Sequence, residues 1–138
     1  MADTRVTCIS AQGAEHELAF TALATPDLAD RARTETNAWI KRLRLVLYGG
    51  VSMRDRFRYR DDSLWWFTEL YLQKMRQLDQ AVLTVLALDH ARAQHAPARL
   101  VVTAADAATI AAARAFGAAR GVPIDVRGGA SAPPRLYW

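Results

Sequence analysis

The sequence predicts a single α/β domain in which a small parallel sheet packs on a long amphipathic helix. Three observations predict it. Arg99-Leu100-Val101-Val102-Thr103, an alanine-rich stretch over 106–120, and Val122-Pro123-Ile124-Asp125-Val126 read as strand, helix and strand. Residues 64–94 place apolar side chains on two sides of one helix, the pattern of an element held between layers. A chain of 138 residues, 51% hydrophobic and 23% charged, suffices for one buried core and is too short for two.

Taken in order, residues 5–9 and 17–23 read as short strands separated by a polar stretch from Ser10 to Glu15, with Gly13 as its turn residue. Thr25-Pro26-Asp27 then supplies an N-cap, a proline suited to the first helical turn, and an acid near the positive end of the helix dipole. Leu28, Ala32, Thr36, Trp39, Ile40 and Leu43 recur at helical spacing after it. Near residue 44 the pattern changes, with Leu45-Val46-Leu47-Tyr48 as a strand and Gly49-Gly50 as a turn into Val51-Ser52-Met53. Arg56-Phe57-Arg58-Tyr59-Arg60 alternates strictly, so an extended chain there sets both rings on one face and three guanidiniums on the other. Asp61-Asp62-Ser63 offers N-caps for the long helix, whose main apolar sector holds Leu64, Phe67, Tyr71, Met75, Leu78, Val82, Val85 and Leu86. Trp65, Leu72 and Leu83 form a second sector. Pro97 ends that helix, and Gly121 sits where the 106–120 helix should close. The tail from Gly128 to Pro134 is linker-like and runs into Arg135-Leu136-Tyr137-Trp138.

Several function classes lose their motif. No apolar run approaches the roughly 20 residues that span a bilayer, and Asp3 and Arg5 stand ahead of Val6-Thr7-Cys8-Ile9 without the apolar region of a secretory signal. One cysteine, Cys8, excludes an internal disulfide framework and a multi-cysteine zinc site. No G-x-x-x-x-G-K-[ST], G-x-S-x-G or H-E-x-x-H occurs. The βα turn Thr103-Ala104-Ala105-Asp106 has no glycine, and Asp106 puts negative charge where a phosphate would bind. His90 and His95 lie five apart rather than four, so no metal and no cofactor are expected.

The net charge of +4 is concentrated. From Lys41 to Arg60 seven basic residues face Asp55 alone, a local excess of six, while the remainder is near neutral or slightly acidic. A solvated face accounts for such a block, and it is also where an anion would bind. Within it, Arg54-Asp55-Arg56-Phe57-Arg58-Tyr59-Arg60-Asp61-Asp62-Ser63-Leu64-Trp65-Trp66-Phe67 combines planar cations, stacking rings and a helix start. Arg56, Arg58, Arg60, Trp65 and Trp66 are therefore the candidate ligand-binding residues, although core and interface packing of a two-sided helix is the simpler account of Trp65 and Trp66. Secondary candidates are Asp61 and Asp62 as a cation or acid–base pair, His16 between Glu15 and Glu17, and Asp89, which projects onto an apolar sector and needs a partner.

The run from Phe57 to Phe67, followed by a long amphipathic helix and a short strand-helix-strand, resembles the N-terminal region of bacterial GT-B-type glycosyltransferases of surface and capsular polysaccharide synthesis, over roughly residues 35–127. The resemblance implies a Rossmann-like partial sheet for residues 1–127, facing the acceptor. It implies a C-terminal domain for the nucleotide sugar, with 128–138 leading toward it. On this reading the chain is not active alone, Arg56, Arg58 and Arg60 contact acceptor phosphate or sugar acids, and Trp65 or Trp66 stacks on a ring. It supplies no catalytic residue. Expected partners are a second Rossmann-like domain or another copy of the chain, and an anionic glycan or lipid-linked acceptor, at the cytoplasmic face of the inner membrane. A nucleic-acid-binding module using Arg54–Arg60 and a non-catalytic interaction domain are the alternatives.

Overall fold

Alternation of apolar and polar side chains starts the fold. In the computed structural model, which describes residues 4–64, 74–103 and 106–128, strand β1 (Arg5–Ile9) buries Val6 and Cys8 and turns Arg5 outward. Ser10 and Gly13 make the turn: Ala14 N–H donates to Ser10 Oγ at 3.1 Å and Gly13 adopts φ 83°. Strand β2 (Glu15–Ala19) returns antiparallel to β1. The second strand was expected over 17–23. It ends at Ala19 because Phe20 and Leu23, three apart, form one face of a helical turn, α1 (Phe20–Leu23), and both are buried.

Helix α2 (Pro26–Leu43) follows the expected signals. Thr25 Oγ1 accepts from Leu28 N–H at 3.4 Å, Pro26 opens the first turn, and Ala32, Thr36 and Ile40 form the buried stripe. Two short hairpins, set out below, occupy residues 47–63. Helix α4 (Lys74–His95) then leads to Pro97 and strand β7 (Arg99–Thr103). Helix α5 (Ala107–Arg120) is capped by Asp106, whose carboxylate accepts from Thr109 N–H at 2.8 Å, and it closes on Gly121 at φ 65°. Strand β8 (Ile124–Arg127) begins two residues later than expected.

The strand order is β2-β1-β7-β8. Strands β7 and β8 are parallel, as the strand-helix-strand pattern requires, with Leu100 opposite Ile124 and Val102 opposite Val126. Strand β1 pairs antiparallel with β7, so the sheet is mixed and its parallel part is this one pair. Val6, Cys8, Leu100 and Val102 share the face that meets Ala87, Leu88 and Ala91 of α4 and Ile110, Ala113 and Phe116 of α5. The opposite face carries ion pairs across strands, Arg5 with Glu17 at 2.8 Å and Arg99 with Asp125 at 3.1 Å. Helices α1, α2 and α5 all contact α4, which is the central packing element the two-sided pattern predicts.

Asp61-Asp62-Ser63, the expected N-cap of that helix, lies on a hairpin whose second strand is Asp62–Ser63, and the residues it would cap lie outside the described ones. The helix's expected main sector is only half-buried at Leu78, Val82, Val85 and Leu86, whereas Thr84, Ala87, Leu88 and Ala91 are fully enclosed. Small residues let the helix axis approach the sheet closely, and a search weighted to large apolar residues passes over them. Among the described residues no helix is long and apolar enough to cross a membrane. Trp65, Trp66, Phe67, Tyr71, Leu72 and the 129–138 tail lie outside the described residues.

Candidate functional site

The basic segment folds as two hairpins joined by one helical turn. Strands β3 (Leu47–Tyr48) and β4 (Val51–Ser52) are linked by Gly49 and Gly50, at φ 59° and 77°. Positive φ at both central residues is the two-residue turn whose twist matches an antiparallel pair. Its ladder continues downward through Met53 N–H to Val46 O at 3.2 Å and Arg54 N–H to Arg44 O at 2.9 Å.

Ser52 then caps helix α3 (Met53–Arg56), accepting from Asp55 N–H at 3.2 Å and donating to the Asp55 carboxylate at 2.6 Å. Strands β5 (Arg58–Tyr59) and β6 (Asp62–Ser63) form the second hairpin around Arg60 and Asp61. Arg60 sits at φ 55°, a left-handed conformation that costs a non-glycine residue on the order of 1 kcal/mol. Ser63 Oγ donates to Arg54 O at 3.3 Å and ties the hairpins together.

This geometry corrects the expected stripe. The Ser52-x-x-Asp55 cap draws Arg56 into a helical turn and Phe57 out of it, so Arg56, Arg58 and Arg60 do not line one face of an extended strand. Arg56 donates to Tyr48 O and braces the first hairpin from inside the arm. Arg58 donates to Asp61 O at 3.2 Å and lies 3.9 Å from the Asp55 carboxylate. Arg60 is directed over the Tyr59 ring, 5.5 Å from its centroid. Among the described residues, Arg54 and Arg60 have no carboxylate partner, and both are exposed. Arg54, which the sequence reading placed in the nucleic-acid alternative but not among the ligand-binding candidates, is therefore an exposed cation without the backbone tie that Arg56 has. The signal that could have found it is the Ser52-x-x-Asp55 pattern. Tyr59, 63% exposed, supplies the ring face beneath Arg60, and Phe57 is exposed on the same segment.

The secondary candidates have other positions. Asp61 and Asp62 are exposed on the second hairpin, in the turn and in β6. His16 faces the helices, opposite Cys8, while its neighbours Glu15 and Glu17 point to the other side of the sheet, so they do not flank its ring. It meets His95 at the end of α4 instead, with ring centroids 4.8 Å apart. Asp89 finds its partner in two guanidiniums, Arg92 at 3.4 Å and Arg120 at 3.6 Å, and joins α4 to α5. Burial pushes the Cys8 thiol above its ordinary pKa, which makes it a poor nucleophile.

Sequence reading also missed a polar link between helices: Gln80 Nε2 donates to Thr109 Oγ1 at 3.2 Å, and Thr109 Oγ1 donates to Asp106 at 2.7 Å. The α5 N-terminus is thus occupied by its own cap. A cavity of about 210 Å³ between α2 and α4 is lined by Arg33, Arg76, Asp79, Gln80 and Leu83, and Asp79 Oδ1 there has no hydrogen-bond partner among the described residues. No three metal-ligating groups cluster among the described residues. Comparison of the chain with protein-family models, curated proteins and solved structures finds no match.

Proposed function

We propose that the chain is the acceptor-side domain of a glycosyltransferase of cell-surface polysaccharide synthesis, with the second hairpin as its acceptor contact. The observation that carries this reading is an exposed cation over an exposed ring, Arg60 over Tyr59, on a small projection that also carries exposed Arg54 and Phe57. A guanidinium matches the planar, bidentate geometry of a sugar carboxylate or a phosphate. An aromatic face covers the C–H side of a pyranose. Together they recognise an anionic sugar rather than a bare ion.

In doubly wound folds the nucleotide lies at a glycine-rich βα turn, outside the carboxyl ends of the strands. Here the Asp106 carboxylate fills the corresponding helix start, so the reading assigns the nucleotide sugar to a second, Rossmann-like domain or to another copy of the chain. It takes β7-α5-β8 as the Rossmann-like part of this domain and sets the protein at the cytoplasmic face of the inner membrane. The chain by itself then transfers no sugar.

Titration with a soluble uronic-acid oligosaccharide, its neutral counterpart and a single-stranded oligonucleotide tests the proposal. The acidic sugar should bind, the neutral one should bind at least about tenfold more weakly, and Arg54→Gln with Arg60→Gln should remove the difference. Binding of the oligonucleotide alone, with a steep log-log salt dependence, would assign the hairpin to nucleic acid instead.

A further inference from the structure

The first hairpin has a different chemistry from the second. Among the described residues, the nine large hydrophobic side chains left exposed all lie between Trp39 and Leu64. Five of them, Leu45, Val46, Leu47, Tyr48 and Val51, belong to the first hairpin and its base, with Leu47 at 66% and Leu45 at 58% exposure. No charged residue occurs from Leu45 to Met53, while Arg42 and Arg44 stand just before this stretch and Arg54 and Arg56 just after it. The hairpin is therefore an apolar projection on a cationic base, with the Arg56 guanidinium lying along it as far as Tyr48 O. A cleft at its base is lined by Trp39, Arg42, Leu43 and Val46, an indole beside a guanidinium.

We infer that this hairpin is a membrane-interface wedge that docks the domain on an anionic bilayer. Three arguments select that occupant. Residues 39–64 carry seven cations against three carboxylates, a net +4 equal to that of the entire chain, so the surface complements negative charge. A second copy would set one cationic base against another and repel it. Nucleic acid would engage the cations but leave Leu45, Leu47 and Val51 exposed, because aliphatic side chains offer bases no stacking face. A bilayer satisfies both parts: acyl chains take the apolar projection and lipid phosphates take its cationic base.

The dimensions agree. A two-residue turn with about three residues on each arm reaches roughly 10 Å, the depth at which interfacial segments bury their apolar face. Trp39 and Tyr48 are the residue types that settle at the headgroup level. The inference deepens the acceptor-side reading and rests on it for the identity of the acceptor, since a lipid-linked sugar would be met at this surface. Docking itself needs no sugar.

Co-sedimentation of the full chain with phosphatidylcholine vesicles, with and without phosphatidylglycerol, provides the test. The chain should pellet with the phosphatidylglycerol vesicles and remain in solution with phosphatidylcholine alone. Arg42→Gln should weaken binding about fivefold, and the pair Leu47→Asn and Val51→Asn by about tenfold or more. Both replaced apolar residues are exposed, so an unchanged unfolding midpoint verifies that the variant folds. A nitrobenzoxadiazole label on Leu47→Cys should shift to the blue only when anionic vesicles are added.

Failure of the wild type to pellet, or Leu47→Asn/Val51→Asn binding equal to wild type, would overturn the wedge. So would a concentration-dependent dimer that this variant abolishes without any vesicle binding. Oligosaccharide titrations contain no lipid, so loss of docking and loss of sugar recognition are read separately.

Discussion

Truncating Leu88 to alanine tests how α4 holds the sheet. Leu88 is 0% exposed and packs in the cluster formed by Val6, Leu100, Val102 and Phe116. Its fully buried neighbours along the helix, Thr84, Ala87 and Ala91, are small and cannot fill the space it leaves. Buried Leu→Ala changes cost about 2 to 5 kcal/mol, rising with the cavity that persists, and this site belongs in the upper half of that range. Against a total stability of roughly 5 to 15 kcal/mol, the midpoint should fall by about 10 to 20 °C in a chain of this size. Leu78 supplies the internal control. It is only half-buried, so Leu78→Ala should cost no more than about 1 to 2 kcal/mol. Thermal melts and urea titrations of both variants give the comparison. If Leu78→Ala proved as damaging as Leu88→Ala, the sheet-facing side of α4 would be misassigned.

Other perturbations probe other links. A Cβ on Gly117 would stand 2.9 Å from Val122 O and 3.0 Å from Ile124 Cγ1, so Gly117→Ala should lose about 1 to 3 kcal/mol in urea titration despite alanine's better helix propensity; an unchanged or raised midpoint would refute the close approach of α5 to β8. Asp106→Ala removes the cap and the bond from Thr109 Oγ1, and should cost about 0.5 to 2 kcal/mol, whereas Asp106→Asn should recover most of it. Burial raises the Cys8 pKa in the fold, so its contribution to stability is complete below the pKa of the unfolded thiol and is lost as pH rises toward the folded value. Cys8→Ala should flatten that alkaline decline, and a thiol reagent should react with the wild type only after unfolding; rapid modification of the native chain would contradict the burial.

Local signals made much of this fold legible. Thr25-Pro26, Asp106, Pro97 and Gly121 act within a turn of their own positions, and the start of α2, the close of α4 and both ends of α5 lie at or within a residue of where they point. Gly49-Gly50 likewise announced its hairpin. What stayed hidden depends on distant partners or on competition between local options. Nothing near Arg5–Ile9 signals that it will insert between β2 and β7, because that pairing joins residues some 90 positions apart. The contact of His16 with His95 follows from that insertion. In the basic segment two local readings compete, and the Ser52 cap with two tight turns overrides the alternation of Arg56 to Arg60. The extended stripe was thus not legible, and Arg56 and Arg58 instead donate to backbone carbonyls that hold the arm together.

The central claim is that an anionic sugar is recognised by the second hairpin. Amide chemical-shift mapping with ¹⁵N-labelled chain, during titration with a uronic-acid oligosaccharide, addresses it most directly. Shifts should concentrate on residues 54–63 and on the guanidinium Nε–H groups of Arg54 and Arg60, leave β7 and α5 unmoved, and vanish in the Arg54→Gln/Arg60→Gln variant. Shifts confined to the α2–α4 cavity around Arg33, Arg76 and Asp79, or none at saturating sugar, would contradict it.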